Sequence, residues 1–298
     1  MRAPDERAGL IFAALCALLG AFAPALAKLT TGGADALFVA AASTASAALA
    51  AVVLLGVRGA LPMLVRRELA PRLMLIGALG TAAAQLCFYF GASRSSAIAT
   101  TLCLQIEPAY ALLLTWLVLG HRPTRRRLGA TALLLAGIGL ALCGGDFEAG
   151  AGVWLLLATP LCWQVSHLIV LRGLAGVPAV VLGGARYLYG GVLLVVLWAL
   201  VGGASTLPAR DELLHLTPLL ITQGAGLGFA GTLLWYQAIA RLDLTRATAI
   251  VVPLIPVLSF VATFLLIGEV ATLQQWLGLA LTAVGILAFV TGPQAQAR

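Results

Sequence analysis

The composition of this 298-residue chain excludes a water-soluble globular protein. Hydrophobic residues make up 61% of it and charged residues only 10%, with a mean hydropathy of +1.04, whereas a soluble domain carries roughly a quarter charged residues. The net charge of +7 would suit nucleic acid, but the basic residues lie in short clusters between apolar runs, which is typical of anchoring to lipid headgroups. We therefore predict an all-α integral membrane protein with no nucleic-acid partner.

Ten apolar runs follow one another along the chain, and polar or turn-forming residues separate them. The runs lie at 8–27, 36–57, 72–91, 97–118, 128–145, 151–170, 179–201, 216–239, 245–267 and 275–291. A spanning helix needs about 20 mainly apolar residues. We therefore predict ten transmembrane helices, numbered 1 to 10 in chain order, which leave little chain for any domain outside the membrane.

The first run also has features of a cleaved signal peptide. Two arginines precede it, and Ala25-Leu26-Ala27 is a small-residue cleavage pattern. Asp5 and Glu6 offset the positive charge, however, and the run has a partner at 151–170 in the internal repeat described below. We predict that this run is retained as helix 1.

The distribution of lysine and arginine predicts the orientation. With the N-terminus placed in the cytoplasm, fourteen cations fall on the cytoplasmic side and only Lys28, Arg94 and Arg210 on the other side; Arg186 lies within helix 7. The acidic loop 146–148 falls outside. Since cytoplasmic loops carry the excess of basic residues, we expect both termini in the cytoplasm.

Motifs for catalysis, nucleotide binding or metal binding are not found in the sequence. The five cysteines lie inside apolar runs without CxxC spacing and are interpreted as small buried hydrophobes: Cys16, Cys87, Cys103, Cys143 and Cys162. There is no GxxxxGK[ST] loop, no HExxH and no serine or aspartate pair placed for proteolysis. We predict no enzyme, no catalytic residue, no cofactor and no metal site.

The sequence matches itself at an offset of 148 residues. The matching positions are 106–108 with 254–256, Gly80 with Gly228, Ala82 with Ala230, Phe88 with Tyr236, and Gly137 with Gly285. An offset close to half the length predicts two copies of one five-helix unit, residues 1–147 and 148–298.

An odd number of helices per unit brings the second copy into the membrane from the opposite side. The two halves should then be related by a pseudo-two-fold axis in the membrane plane. The loops agree with this, because Arg125-Arg126-Arg127 precedes helix 5 while its counterpart Leu273-Gln274-Gln275 has no cation. One loop is expected inside and the other outside.

These features resemble the EamA-type drug/metabolite transporters, a family with ten helices in two inverted repeats. The most specific piece is the helix that runs from Pro256 into the Gly268-Glu269 turn, followed by the small-residue helix 277–285. Arg186 resembles an arginine that the family often carries in the second helix of a repeat. The first half departs from the pattern: His121 replaces the glutamate, and Ser43-Thr44 stands where an arginine is expected.

Within the family the chain is most similar to bacterial amino-acid exporters, including those for aromatic amino acids, and its seventeen arginines against one lysine fit a GC-rich bacterial genome. The resemblance implies a multi-pass secondary transporter of the bacterial inner membrane that exports amino acids or related small metabolites by alternating access. A drug or other-metabolite efflux carrier of the same family is the alternative. A channel or sensor is a third hypothesis, although no pore-lining ring of like groups is found.

Two polar groups lie inside predicted helices. Glu107 in helix 4 is an expensive residue in a membrane, which indicates function: it could bind a substrate ammonium group or carry a proton. A salt bridge or a place near the membrane edge is the structural alternative. His167 shares part of a face with Trp163 and Gln164 and titrates near neutrality, so it is either a proton relay or a hydrogen-bonded core residue. Protons are thus a further candidate partner, beside the substrate and the lipid.

Arg186 and an aromatic group complete the predicted site. Arg186 either snorkels to the cytoplasmic end of helix 7, or pairs with another side chain, or binds a substrate carboxylate. Aromatic and amide side chains cluster in helices 3 and 8, where they form either an interfacial belt or the wall of a cavity: Gln85, Phe88, Tyr89, Trp235, Tyr236 and Gln237.

Three prolines are predicted well inside helices 4 and 9, namely Pro108, Pro253 and Pro256. Each removes a backbone donor and frees the carbonyl four residues earlier. The kinks serve either packing or a cavity in which free carbonyls meet an ammonium group. Inverted repeats place the substrate near the midplane, and we therefore expect it between the halves, with helices 5 and 10 at the periphery.

Overall fold

The computed structural model describes residues 6–120, 122–143, 150–242 and 244–291, and within these ranges all regular structure is helical. Ten long helical segments follow the predicted order. They are α1 (Glu6–Gly33), α2 (Ala36–Val57), α3 (Ala70–Ser93), α4 (Ala97–Leu119), α5 (Arg125–Leu142), α6 (Ala151–Gly173), α7 (Ala179–Val201), α8 (Arg210–Leu242), α9 (Leu244–Ile267) and α10 (Leu273–Val290). His121 and the predicted outer loop with Asp146 and Glu148 lie outside the described residues.

Nine of the described helices are long and apolar enough to cross a membrane, which makes the chain a multi-pass membrane protein. The exception is α5, because its 18 residues begin with three arginines. The apolar part that follows covers roughly 22 Å at 1.5 Å per residue, less than the hydrocarbon core of about 30 Å. The fold therefore has nine clear spans and one helix of marginal length.

Two helices extend beyond the predicted apolar runs. α1 continues through Thr30 and Thr31, whose hydroxyls donate to carbonyls at Leu26 and Ala27 within the same helix. α8 begins at Arg210, so the prediction that residues 210–215 belong to a connecting loop is wrong. Acidic residues in the first turn of α8 favour a helix N-terminus.

The same local signals end and start helices in both halves. α4 ends at Gly120 and α9 ends at Gly268, and both glycines have a left-handed backbone, with φ of 73° and 69°. α5 starts after Thr124 and α10 after Thr272, and each threonine side chain accepts a hydrogen bond from the third residue of its helix. Each pair is separated by the repeat offset of 148 residues.

α4 is interrupted near its middle, between residues 104 and 107. The amides of Gln105 and Ile106 donate to carbonyls only three residues earlier, at 3.1 and 3.3 Å. Pro108 therefore lies in the first turn of a new helical segment, where its missing donor costs little. The sequence predicts Pro108 well inside helix 4; in the structure it lies beside the break near the middle of α4, two residues after Ile106.

π-helical segments interrupt α3 and α8 at overlapping positions of the repeat. They cover Ala78–Ala83 in α3 and Thr222–Ala230 in α8. Shifted by 148 residues, the first segment falls on 226–231. π-helical turns are rare and are frequent at functional sites. Both segments therefore indicate a functional site in the middle of the bundle.

α5 and α10 pack against each other through glycines in a reciprocal pattern. A Cβ on Gly137 would lie 2.5 Å from the amide of Thr282 and 2.7 Å from the carbonyl of Gly278. A Cβ on Gly285 would lie 2.6 Å from the amide of Leu134. Gly285 is the counterpart of Gly137, and Thr282 is the counterpart of Leu134. Such reciprocal contacts are what a two-fold axis produces.

This contact predicts a sharp difference between two neighbouring glycines. Gly137→Ala should destabilise the protein by about 1–3 kcal/mol, because the added methyl meets backbone atoms that cannot yield. Gly139→Ala is the matched control, since nothing lies within 4 Å of its Cβ position. Thermal unfolding in detergent measures the difference, and equal midpoints for the two variants would contradict the α5–α10 contact.

Candidate functional site

The two halves of α4 have different surroundings. Residues Ala97–Cys103 are all buried, and this half packs against α1, α3, α6 and α9. Residues Glu107–Leu119 include no buried residue, and their main contacts in the described chain are with α5 and α6. The second half of α4 is therefore packed less tightly than the first half.

The ends of the bundle are named here from the chain termini. The inner end carries the start of α1 at Glu6 and the end of α10 at Val290; the outer end is opposite. Two groups of helices face each other across the bundle: α3, α4 and α6 form the α6 side, and their counterparts α8, α9 and α1 form the α1 side.

Contacts at the outer end join the two sides. α1 packs against both α3 and α4. Lys28 of α1 donates to the carbonyls of Ala92 and Ser93 at the end of α3, both at 3.4 Å. The hydroxyls of Thr101 in α4 and Ser259 in α9 lie 2.8 Å apart in the buried interior. The outer end is therefore closed.

Contacts at the inner end stay within one side. On the α6 side, Arg72 donates to the carbonyl of Gly173, and Arg172 donates to the carbonyl of Val118. On the α1 side, Arg246 forms an ion pair with Glu6, and Arg241 lies over the ring of Phe12. Among the described residues α6 makes no extensive contact with α8 or α9, although its counterpart α1 packs against α3 and α4. From this difference we infer a cleft between the two sides that opens at the inner end.

Glu107 lies at the closed tip of this cleft. It is the first residue after the break in α4, near the middle of that helix. Gln164 of α6 donates to its carboxylate at 2.8 Å. Glu107 is surrounded by protein and yet keeps part of its surface accessible, so it borders an internal space. The structural alternative of a position at the membrane edge does not hold.

Arg186 of α7 faces the same space. Its Nη2 donates to the carbonyl of Gly80 in the π-helical segment of α3 at 2.7 Å, and its buried Nε has no hydrogen-bond partner. The guanidinium interacts electrostatically with Glu107, His167 and Tyr236. Arg186 is thus held at the level of the middle of α3. Snorkelling would instead place its guanidinium at the inner end.

Close packing explains why the π-helical segment carries a glycine here. A Cβ on Gly80 would collide with Ser166 of α6 and would lie 3.2 Å from Nε of Arg186. The absence of that Cβ lets α3, α6 and α7 meet at one point. The Gly80 carbonyl is then within reach of the guanidinium.

Three further predicted residues lie on the helices that line the cleft. His167 is exposed although it lies deep within the bundle. Trp163 and Tyr236 are half-buried on α6 and α8. The cluster Glu107, Gln164, Arg186, His167 and Tyr236 thus unites α4, α6, α7 and α8 at the tip of the cleft, and we call these five residues the central cluster.

Other predicted residues lie elsewhere. Tyr89 is buried and accepts a hydrogen bond from Ser43 at 3.0 Å, so it packs in the core between α2 and α3. Trp235 packs on an apolar cluster formed by α1, α8 and α9. Gln237 is exposed and accepts a hydrogen bond from Arg241 one turn later. Tyr89 therefore belongs to the core, whereas the positions of Trp235 and Gln237 fit an interfacial belt as well as a cavity wall.

The remaining predicted residues that the structure describes make no side-chain hydrogen bond with the central cluster. Gln85 is half-buried on α3, one helical turn from Tyr89. Pro253 and Pro256 lie inside the continuous helix α9, as predicted, and Pro256 is buried. Phe88 stacks edge-on with Tyr89, with ring centroids 5.1 Å apart.

Sequence reasoning missed several residues on which the site depends. Gly80 and Ser166 set the packing beside Arg186, and Thr101 with Ser259 closes the space above Glu107. The match of Gly80 with Gly228 in the repeat was the signal that could have marked the first of these. Small hydroxyl residues in apolar helices carry no comparable signal.

The central cluster combines one carboxylate, one guanidinium and hydrogen-bonding groups at the end of an accessible space. A carboxylate attracts an ammonium group, and a guanidinium with unused donors attracts a carboxylate. The arrangement can therefore hold a small molecule with both charges. Among its described side chains, the cluster has no nucleophile beside a base.

Comparison with known proteins identifies the class. The chain belongs to the EamA-like transporter family, whose family model matches residues 7–143 and again residues 150–291. The predicted family is thereby confirmed. The protein is a membrane transporter for a small-molecule substrate.

Individual relatives agree with this assignment. A protein of Streptantibioticus cattleyicolor described as a probable terminal-alkyne amino-acid exporter is 30% identical over 235 residues, which cover 76% of each chain. A solved crystal structure superposes with a TM-score of 0.68 over 96% of this chain and 98% of the other, at 20% identity. The latter likeness shows the fold alone.

The cleft predicts that water reaches the central cluster from one end. With the five native cysteines replaced, His167→Cys should react with a membrane-impermeant thiol reagent supplied at the inner end. Thr101→Cys should stay unreactive, because Thr101 is buried in the closed outer half. Mass spectrometry of oriented vesicles measures both, and equal labelling of the two positions would contradict the one-sided cleft.

Proposed function

We propose that this protein exports amino acids, or closely related small metabolites, across the bacterial inner membrane by alternating access. The observation that carries the proposal is that Glu107 and Arg186 lie within electrostatic range of each other, beside the break in α4 and at the tip of the cleft. A zwitterion satisfies both charges at once, and a membrane interior otherwise penalises each of them. The relative described as a probable amino-acid exporter supports the same substrate class.

The binding mode follows from the geometry. Glu107 takes the ammonium group, and Gln164 fixes its carboxylate with a hydrogen bond of 2.8 Å. Arg186 takes the carboxylate with the guanidinium donors that the Gly80 carbonyl leaves free. His167 and Trp163 lie on the wall of the cleft and face the substrate side chain. A drug efflux carrier for apolar compounds would gain nothing from two opposite charges at this depth.

We further propose that the two halves, 1–147 and 148–298, are inverted repeats and that α5 is the tenth span. The reciprocal contacts of Gly137 and Gly285 support a two-fold relation between the halves. α5 packs along α10, which is long enough to span, and its terminal arginines can snorkel to the headgroups. The excess of arginine at the inner end supports cytoplasmic termini.

In this orientation the cleft faces the cytoplasm. The structure then represents the state that loads substrate for export. Rocking of the α6 side against the α1 side would close the inner end and open the outer one, so that the central cluster meets the other face of the membrane. While the unloaded carrier changes from one open state to the other, the charges of Glu107 and Arg186 partly neutralise each other.

Transport assays on reconstituted protein test the proposal. Counterflow of labelled amino acids in liposomes should be saturable, and Glu107→Gln or Arg186→Gln should raise the half-saturating concentration by about tenfold or more, because each removes a charged hydrogen-bonding partner. Glu68→Gln is the matched control: Glu68 is exposed, lies between α2 and α3, and should leave the flux unchanged. Absence of saturable flux for every amino acid would refute the proposal.

The same liposomes separate proton-coupled export from facilitated export. Coupling predicts that an imposed pH gradient drives accumulation and that Glu107→Gln or His167→Ala abolishes this response. Flux that ignores the gradient in wild type and in both variants would remove the proton relay while leaving facilitated export.

A further inference from the structure

Glu269 makes an unusual contact at the outer end. Its carboxylate accepts hydrogen bonds from the first two amides of α4, Ala97 N at 3.0 Å and Ile98 N at 3.1 Å. These amides have no partner within their own helix. The helix already has a local cap, because Ser96 Oγ accepts from Ala99 N at 3.0 Å. Glu269 therefore adds a second cap that comes from the other half of the chain.

The turn that follows α9 directs Glu269 towards α4. Gly268 ends α9 with a left-handed backbone, at a φ of 69°. The carboxylate thereby crosses from the α1 side, to which α9 belongs, to the N-terminus of α4 on the α6 side. The negative charge also meets the positive end of the α4 helix dipole.

Beneath this contact the two sides are sealed. Ile98 and Leu102 of α4 pack with Phe260 of α9 in one apolar cluster. One turn further in, Thr101 and Ser259 share a hydrogen bond of 2.8 Å. We call these contacts, together with the Glu269 cap, the outer gate. Glu269 is its outermost and only charged member.

The repeat has a different residue type at the equivalent inner position. The counterpart of Glu269 is His121, and the counterparts of Ala97 and Ile98 are Thr245 and Arg246 at the start of α9. His121 lies outside the described residues, and its type and its place in the repeat come from the sequence. A neutral imidazole has one acceptor nitrogen, whereas a carboxylate has two acceptor oxygens and a charge. A histidine therefore cannot cap two amides in the way Glu269 does.

We propose that Glu269 is the latch of the outer gate, and that the histidine at the equivalent inner position makes the unloaded carrier rest open at its inner end. When the outer gate closes, the first two amides of α4 gain hydrogen bonds to the Glu269 carboxylate. When the inner end closes, the cap that the start of α9 gains is weaker. An exporter that rests in this way presents its empty site to the compartment from which it loads. The inference rests on the proposed alternating-access function, since a gate presupposes two states.

Distances between spin labels test the latch. In a background without native cysteines, one label pair at Trp154 and Leu273 reports the outer end and another at Leu171 and Ala240 the inner end; all four positions are exposed. Glu269→Gln, which keeps one acceptor oxygen, should shift the ratio of outer-open to outer-closed protein by about fivefold, as expected for the loss of a helix cap, and Glu269→Ala should shift it further.

His121→Glu tests the asymmetry in the opposite direction, because it adds a carboxylate instead of removing one. The inner pair should gain a population of short distances. Glu212→Gln is the matched control, since Glu212 is an exposed glutamate at the outer end, in the first turn of α8, and caps no neighbouring helix. It should leave both distance distributions as in wild type.

The outcomes separate this inference from the proposed function. Unchanged distances in the Glu269 variants, with flux present, overturn the latch. A shift in those variants without a response to His121→Glu overturns the inferred asymmetry. Shifting distances without flux of any amino acid leave the latch standing and refute the exporter. If Glu269→Ala does not fold, as judged by size-exclusion chromatography, Glu269→Gln and His121→Glu still decide the matter.

Discussion

The fold depends on one constraint: within a bilayer, every backbone polar group needs a partner from the protein itself. Continuous helices meet this requirement alone, so each departure from a regular helix has to be answered by another element. Arg186 supplies a donor to the carbonyl of Gly80 within the π-helical part of α3. Glu269 supplies acceptors to the exposed amides that begin α4. At both places the missing partner therefore comes from a different part of the chain.

The central cluster shows how this constraint places function. The break in α4 puts Glu107 at the boundary between a half that is packed on all sides and a half that lines the cleft. A charge at this position would be costly in a uniform bundle. It is tolerated because Gln164 donates to it, Arg186 opposes it and the cleft admits water. Binding chemistry and helix irregularity are thus two aspects of the same local structure.

Hydrophobic periodicity and the repeat were enough to predict the order of the helices and the family, and to single out Glu107, Gln164 and Arg186, which the structure brings into one cluster. These features are local or recur at a fixed offset, and they leave a direct trace in one sequence. The break before Pro108 and the placement of Trp235 in the α1, α8 and α9 cluster were not predictable in this way. They depend on which helices become neighbours, and a residue's type does not reveal on which side of a transmembrane helix its partner lies.

The reciprocal packing of α5 on α10 has a mechanical consequence. A contact that lies on a two-fold axis is its own counterpart, so it is the same before and after two inverted halves exchange conformations. The α5–α10 glycine contact and the packing of α2 on α7 join counterpart helices in this sense. The contact of α1 with α3, by contrast, would be lost and replaced by one between α6 and α8. In the proposed alternating-access cycle, the pairs of counterpart helices would therefore keep their contacts, and only the contacts between unlike helices would be broken and remade.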